Sequence, residues 1–218
     1  NKLNSLILGV FISAITTVIF PLLSKESSCD NVQGMRKIMS EGVNLILLIT
    51  IPATVGLIVL ARPIVEVAFE RGEFDAIATE MTTQALIFYS LGLVAMSLRL
   101  LVTRVYYSLQ DTKTPMINGA IAVGFNIVLN LIFVRFMAHA GLALATSIAT
   151  IIITLLMFYG LKKKIGSLGT MSYIKCSVKA GLASAIMGIT AYIVYKGLYR
   201  MLGISKLSNL ISLFSAVG

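Results

Sequence analysis

Positions 117–134 read INGAIAVGFNIVLNLIFV, an uncharged run that carries Asn118, Asn126 and Asn130. It is long enough to cross a bilayer. Asn126 and Asn130 are four positions apart, so on a helix they share a face. A primary amide in hydrocarbon is costly without a partner. The next apolar run, GLALATSIATIIIT (141–154), places Thr146, Thr150 and Thr154 at the same interval. Two chemistries use such paired polar stripes. One is hydrogen bonding between neighbouring helices, worth about 0.6 kcal/mol per contact. The other is a cage of amide, hydroxyl and backbone oxygens around a hard monovalent cation, as in coupled transporters.

Arg99, in LVAMSLRLLVTR (93–104), is the clearest ionisable group inside an apolar run. An intramembrane charge marks a functional site by default. Arg104 fits a side chain that reaches the interface, whereas Arg99 lies deeper. A guanidinium there suits a phosphate or carboxylate, which it can hold through two parallel hydrogen bonds. Lys2 opens the first apolar run and, on residue type alone, is an interfacial lysine. Catalysis finds no footing. His139 is the sole histidine, no carboxylate pair lies within a span, and the serines and threonines lack a base. Cys29 and Cys176 have no metal-binding spacing and read as free thiols.

The elements that must position these groups are membrane helices. The chain is 57% hydrophobic and 12% charged, where soluble domains sit near 45–50% and about 25%. The length of the apolar runs predicts spans at 3–23, 42–61, 79–105, 115–136, 140–161 and 175–196, with Pro52 inside the second. A seventh run from Leu207 to the last residue covers only about 18 Å of a roughly 30 Å core and reads as truncated. The chain reads as a fragment of a longer polytopic protein. The first, third and fifth connections carry Lys25, Arg36, Lys37, Arg104, Lys113, Lys162, Lys163, Lys164, Lys175 and Lys179; the others carry six basic residues. That excess puts the first set in the cytoplasm. The net charge of +9 therefore reports topology, and no basic face with interleaved aromatics points to nucleic acid.

Four motifs in order resemble the MurJ/MviN lipid II flippase family: LGVFISAITTVIFPLLSK (8–25), FERGEFD (69–75), YSLQDTKTP (107–115) and NIVLNLIF…HAGLALATS (126–147). The resemblance implies an all-α polytopic membrane protein of the MATE-like, polysaccharide-exporter superfamily. Its members have fourteen helices in two six-helix lobes plus a C-terminal pair. This chain then resembles the second lobe without its first helix. Residues 1–161 correspond to family helices eight to twelve, and 162–218 to helix thirteen and a truncated fourteenth. The first lobe is the missing partner.

The family moves lipid II, the undecaprenyl-pyrophosphate-linked disaccharide-pentapeptide, across the bacterial inner membrane by alternating access for cell-wall synthesis. The resemblance implies a cationic cavity for the head group and a groove by the last two helices for the lipid tail. An essential arginine of the family falls at Lys2, which keeps the charge and loses the guanidinium fork. Arg99 corresponds to a second basic residue of the cavity. Some members have a sodium site, which maps onto Asn126, Asn130, the Leu142 carbonyl and Thr146, with Asn130 in place of an aspartate. No other cofactor is implied. The alternatives are an exporter of another polyprenyl-linked glycan or of drugs, a non-transporting membrane scaffold and, more distantly, an intramembrane enzyme.

Overall fold

The computed structural model describes residues 7–69 and 76–202, with side chains over 8–68, 77–137 and 140–197. Among the described residues every element is helical. A π-helical turn, Ile7–Ile12, leads into α1 (Ser13–Ser28); α2 is Val32–Val59, α3 Ala61–Phe69, α4 Ala76–Leu91 and α5 Leu93–Ser108. A long α6 (Lys113–Ile165) precedes α7 (Thr170–Leu202). Five helices are long and apolar enough to span a membrane, and six if α4 and α5 together make one bent span. Lys2, the FERGEFD motif beyond Phe69 and the run from Leu207 lie outside the described residues.

Five of the predicted spans correspond to long apolar helices among the described residues, with shifted ends. The first runs over Leu8–Ser28 and the second over Val32–Val59, so the expected connection between 23 and 42 contracts to three residues. Asn31 explains the early start of α2. Its side-chain oxygen accepts from the Gly34 N–H at 3.0 Å, capping the helix well before its apolar face begins. Lys25, Arg36 and Lys37 therefore sit on helix ends. Pro52 is contained within α2.

The expected third span breaks into α4 and α5, bent by 40° at Gly92. The Gly92 N–H bonds to the Tyr89 carbonyl at 3.1 Å and leaves the Phe88 carbonyl without its helical partner. Ser147 of α6 fills that gap, its hydroxyl donating to the Phe88 carbonyl at 2.6 Å. A neighbouring serine that re-satisfies freed backbone is what lets a break persist at membrane depth. The approach is close enough that a Cβ on Gly92 would stand 2.7 Å from Ser147 Oγ and 3.0 Å from its Cα.

Although α6 is helical throughout, it doubles back on itself. Residues twenty apart on a straight helix are separated by about 30 Å. Asn126 nevertheless donates to Thr146 at 3.1 Å, and a Cβ on Gly141 would meet the Phe133 carbonyl. The two arms, Lys113–Met137 and Ala140–Ile165, are thus antiparallel neighbours, as the short RFMAHA stretch (135–140) predicts. The second arm packs against α4 and α5. Buried Leu23, Met35, Met39, Ile46, Leu101 and Ile153 hold α1, α2, α5 and this arm around one apolar core.

α7 lies along α2. Its buried face is a stripe of small residues, Ala180, Ser184, Gly188 and Ala191, spaced to bring two backbones together. At Gly188 an added Cβ would stand 2.9 Å from Val55 Cγ1. Leu182, Ile186, Ile189 and Ile193 point outward and remain exposed, as befits a lipid-facing surface.

Candidate functional site

Two polar features meet on the first arm of α6. The first is a relay of amides and hydroxyls. Asn130 Nδ2 donates to Asn126 Oδ1 at 2.8 Å, and Asn126 Nδ2 donates to Thr146 Oγ1 at 3.1 Å. Thr146 in turn donates to the Leu142 carbonyl at 2.9 Å. Asn130 Oδ1 ends the chain, buried and without a hydrogen-bond partner. The four groups singled out in the sequence are therefore brought together, and their spacing is the cause. A four-residue interval on each antiparallel arm faces amides to hydroxyl.

The rest of the threonine stripe turns elsewhere. Thr150 donates back to the Thr146 carbonyl at 2.8 Å. Thr154 shares its hydroxyl proton between the Thr150 carbonyl one turn back, at 2.7 Å, and the Ala95 carbonyl of α5, at 3.1 Å, just past the α4–α5 break. Thr154 and Ser147 thus brace α4 and α5, and only Thr146 joins the asparagines. The relay offers oxygen donors only: two amides, a hydroxyl and a backbone carbonyl. Oxygen donors without a carboxylate suit a hard monovalent cation, and Asn130 Oδ1 is the orphaned acceptor such an ion would satisfy. No cluster of three or more His, Cys, Asp or Glu side chains fit for a metal occurs among the described residues.

The second feature is a cavity of about 350 Å³ beside Arg99. Arg99, Thr103 and Tyr107 of α5 form one wall; Pro115, Met116 and Gly119 of the first arm form another; Ile153 and Met157 of the second arm close it. Arg99 is half-buried, and no carboxylate among the described residues lies within ion-pair range of it. Thr103 spends its hydroxyl proton on the Arg99 carbonyl at 2.7 Å, and Arg99 is the one cationic residue among those lining the space. A partly buried cation with no counter-charge among the described residues is suited to an anionic partner. The cavity therefore favours an anionic occupant, and the guanidinium fork fits phosphate or carboxylate oxygens. Arg104, by contrast, is exposed, with its guanidinium 5.8 Å from the Phe20 ring centroid.

Sequence reasoning did not single out Tyr107, Asp111 or Lys164 as site residues. Asp111 Oδ1 accepts from the Thr114 N–H at 3.0 Å and caps the first arm, while Oδ2 pairs with the Lys164 ammonium. The signal was present in DTKTP (111–115), an aspartate placed ahead of a first-turn proline, which marks a helix start. Burial alone would raise the Asp111 pKa. The charge-assisted bond from Lys164 and the donors of Thr114 outweigh it and bring the pKa down to about 2.

A second opening, of about 320 Å³, lies between α2, α5, the second arm and α7. Val43, Leu47, Leu155 and Phe158 make it apolar, with Lys162 and Ser177 also on its walls.

The family model described as "Lipid II flippase MurJ" matches residues 1–212. A probable lipid II flippase MurJ of Vibrio cholerae is 41% identical over 161 residues, which is 74% of this chain and 31% of that protein. The lipid II flippase MurJ of Thermosipho africanus is 34% identical over 154 residues, 71% of this chain and 31% of its own. A probable lipid II flippase MurJ of Thermotoga maritima is 32% identical over 92% of this chain and 39% of its own length. The solved structure of a lipid II flippase MurJ in an inward closed conformation superposes with a TM-score of 0.75 at 31% identity, covering 96% of this chain and 41% of that one. The chain thus spans about a third of the length of these curated relatives. Matched along almost its whole length by one family model and by a solved relative, this chain belongs to the MurJ lipid II flippase family.

Proposed function

We propose that this chain supplies the second, MATE-like lobe and the C-terminal helices of a lipid II flippase. The protein would move an undecaprenyl-pyrophosphate-linked glycopeptide across the bacterial inner membrane without breaking a bond. The observation that carries this reading is Arg99: a half-buried guanidinium with no described carboxylate partner, facing a cavity of about 350 Å³. Such a group can draw a pyrophosphate from water because the phosphate replaces hydration lost on burial. Lys2 would add a second positive charge, as the family pattern implies. The polyprenyl tail would stay in the lipid phase, and the apolar opening against α7 is a place for it to lie. The two lobes would rock about the midplane, exposing the cavity to each side in turn.

Asn126, Asn130, Thr146 and the Leu142 carbonyl would hold a sodium ion. Bound there, the ion would couple its gradient to the cycle. Rotating the Asn130 amide by half a turn would replace the N–H that now faces Asn126 Oδ1 with a carbonyl oxygen. Two facing carbonyl oxygens repel unless a cation lies between them, so the relay of hydrogen bonds would be the resting form of the cage.

The test is growth rescue in a flippase-depleted cell, using the full-length protein. Arg99→Ala and Lys2→Ala should each abolish rescue at normal expression. Rescue by both would remove them from the substrate path. Accumulation of lipid II on the inner leaflet after depletion would separate this reading from export of another lipid-linked glycan.

A further inference from the structure

We propose that the Asp111–Lys164 pair is a latch that holds the first arm of α6 over the Arg99 cavity, making both residues positioning residues for the anion site. The inference rests on the reading of that cavity as the substrate site, and it concerns what governs access to it.

Three observations carry it. First, none of the first arm's described side chains is buried, and its contact with the apolar core is through the partly buried Ala122. Second, that arm forms a wall of the cavity through Pro115, Met116 and Gly119. Displacement of the arm away from α5 would therefore widen the space beside Arg99. Third, the arm's polar fastenings among the described residues are few. One end turns back tightly at Gly141, and its middle is tied by the Asn126–Thr146 bond. The other end depends on Asp111, which caps the arm through Thr114 and reaches across to Lys164 at the end of the second arm.

The far side of this fastening is rigid. Lys164 sits 5.8 Å from the Tyr106 ring centroid, and the fully buried Tyr106 donates its hydroxyl to the Met157 carbonyl at 2.9 Å. Arg36 of α2 donates through Nε to the Ile165 carbonyl at 2.5 Å, pinning the residue next to Lys164. The ammonium is thus held on a fixed post, and the carboxylate belongs to the arm that moves. Asp111 lies between Tyr107 and Pro115 in sequence, both of them cavity walls. By the count of basic residues this end faces the cytoplasm, the side from which a lipid-linked precursor would arrive.

The experiment measures how fast a membrane-impermeant thiol reagent modifies Thr103→Cys in inverted membrane vesicles. It uses the full-length protein with its other cysteines replaced by serine. Thr103 lines the cavity, and a thiol there can keep the bond to the Arg99 carbonyl. Asp111→Asn preserves the cap, because asparagine caps as well as aspartate, and removes only the charge. Asp111→Asn and Lys164→Gln should each speed labelling by roughly fivefold, in keeping with a partly exposed ion pair. The double variant, Asp111→Asn with Lys164→Gln, keeps the cap and should label no faster than either single variant, because both remove the same contact. Parent-like labelling in either single variant would overturn the latch, as would single-variant effects that multiply in the double variant. Labelling needs no lipid II, so a failed latch would leave the growth-rescue result untouched, and the reverse also holds.

Discussion

The two arms of α6 have almost the same mean hydropathy, 2.0 for Lys113–Met137 and 2.2 for Ala140–Ile165, and almost the same length. Half of the apolar window of the second arm is buried, and none of the first. Hydropathy reports that a segment can cross the bilayer. It does not report whether its side chains face lipid, a cavity or other helices. The second arm is a structural strut, wedged against α4 and α5. The first arm carries the polar atoms that can bind something and little of what holds the fold.

That contrast predicts unequal costs for the same substitution, and this is the largest effect expected. Ile153→Ala removes a fully buried core side chain of the second arm and should destabilise the protein by about 2–5 kcal/mol. Ile127→Ala, at a 55% exposed position on the first arm, should cost within about 0.5 kcal/mol. Thermal unfolding of the full-length protein in detergent measures both. Equal losses would mean that the first arm is packed in the complete protein, and the contrast would then belong to this part of the chain alone.

Next in size is the joint between α4 and α5. Gly92→Ala would push a methyl group to 3.0 Å from the backbone of Ser147, which cannot rotate away. Overpacking of this kind costs about 1–3 kcal/mol. Ser147→Ala acts at the same place by another route, leaving the Phe88 carbonyl unpaired at a cost of about 1–3 kcal/mol. The two residues share one contact, so the double variant should cost less than the sum. An additive result would separate the break from its brace.

The sequence made some of this legible and hid the rest, for physical reasons. The all-helical membrane architecture and the antiparallel pairing of the arms follow from apolar length and a short connection. The 126/130/146 cluster follows from helical periodicity on two adjacent arms. The break at Gly92 did not, because one glycine inside an apolar run reads as tolerated small packing. Only the partner serine 55 positions later reveals it. Thr154 looked like part of the cation stripe because spacing cannot say which neighbour a hydroxyl meets, and it meets α5. The early start of α2 was masked by Arg36 and Lys37, which read as loop charges although the Asn31 cap lies before them.

A smaller effect sharpens the functional side of the comparison. Thr146→Val breaks the relay at modest cost, about 0.6 kcal/mol on the scale of membrane hydrogen bonds. It should nevertheless remove any sodium-induced rise in thermal stability. Asn130→Asp should act the other way and enlarge that rise, because a carboxylate binds the cation more strongly than a neutral amide. Sodium-insensitive melting of both the parent and Asn130→Asp would leave the relay as simple helix-to-helix glue.

The smallest effect comes from pH at the open end of the hairpin. The folded pKa of Asp111 is held down to about 2, below the unfolded carboxylate value near 3.9. A depressed carboxylate contributes stability that is complete above its unfolded pKa and disappears as pH falls through its folded pKa. The contribution should therefore be intact at neutral pH and fade between about pH 4 and pH 2. Lys164 is 44% exposed, so solvent screens the pair and its worth is about 1 kcal/mol or less. Asp111→Asn keeps the cap on Thr114 and cannot titrate, so its melting temperature should lie slightly below the parent at pH 7 and meet it near pH 2. If the pair matters only as a fastening for the first arm, the stability gap will be small while the Thr103→Cys labelling gap is large. That inequality is what separates a latch from a strut.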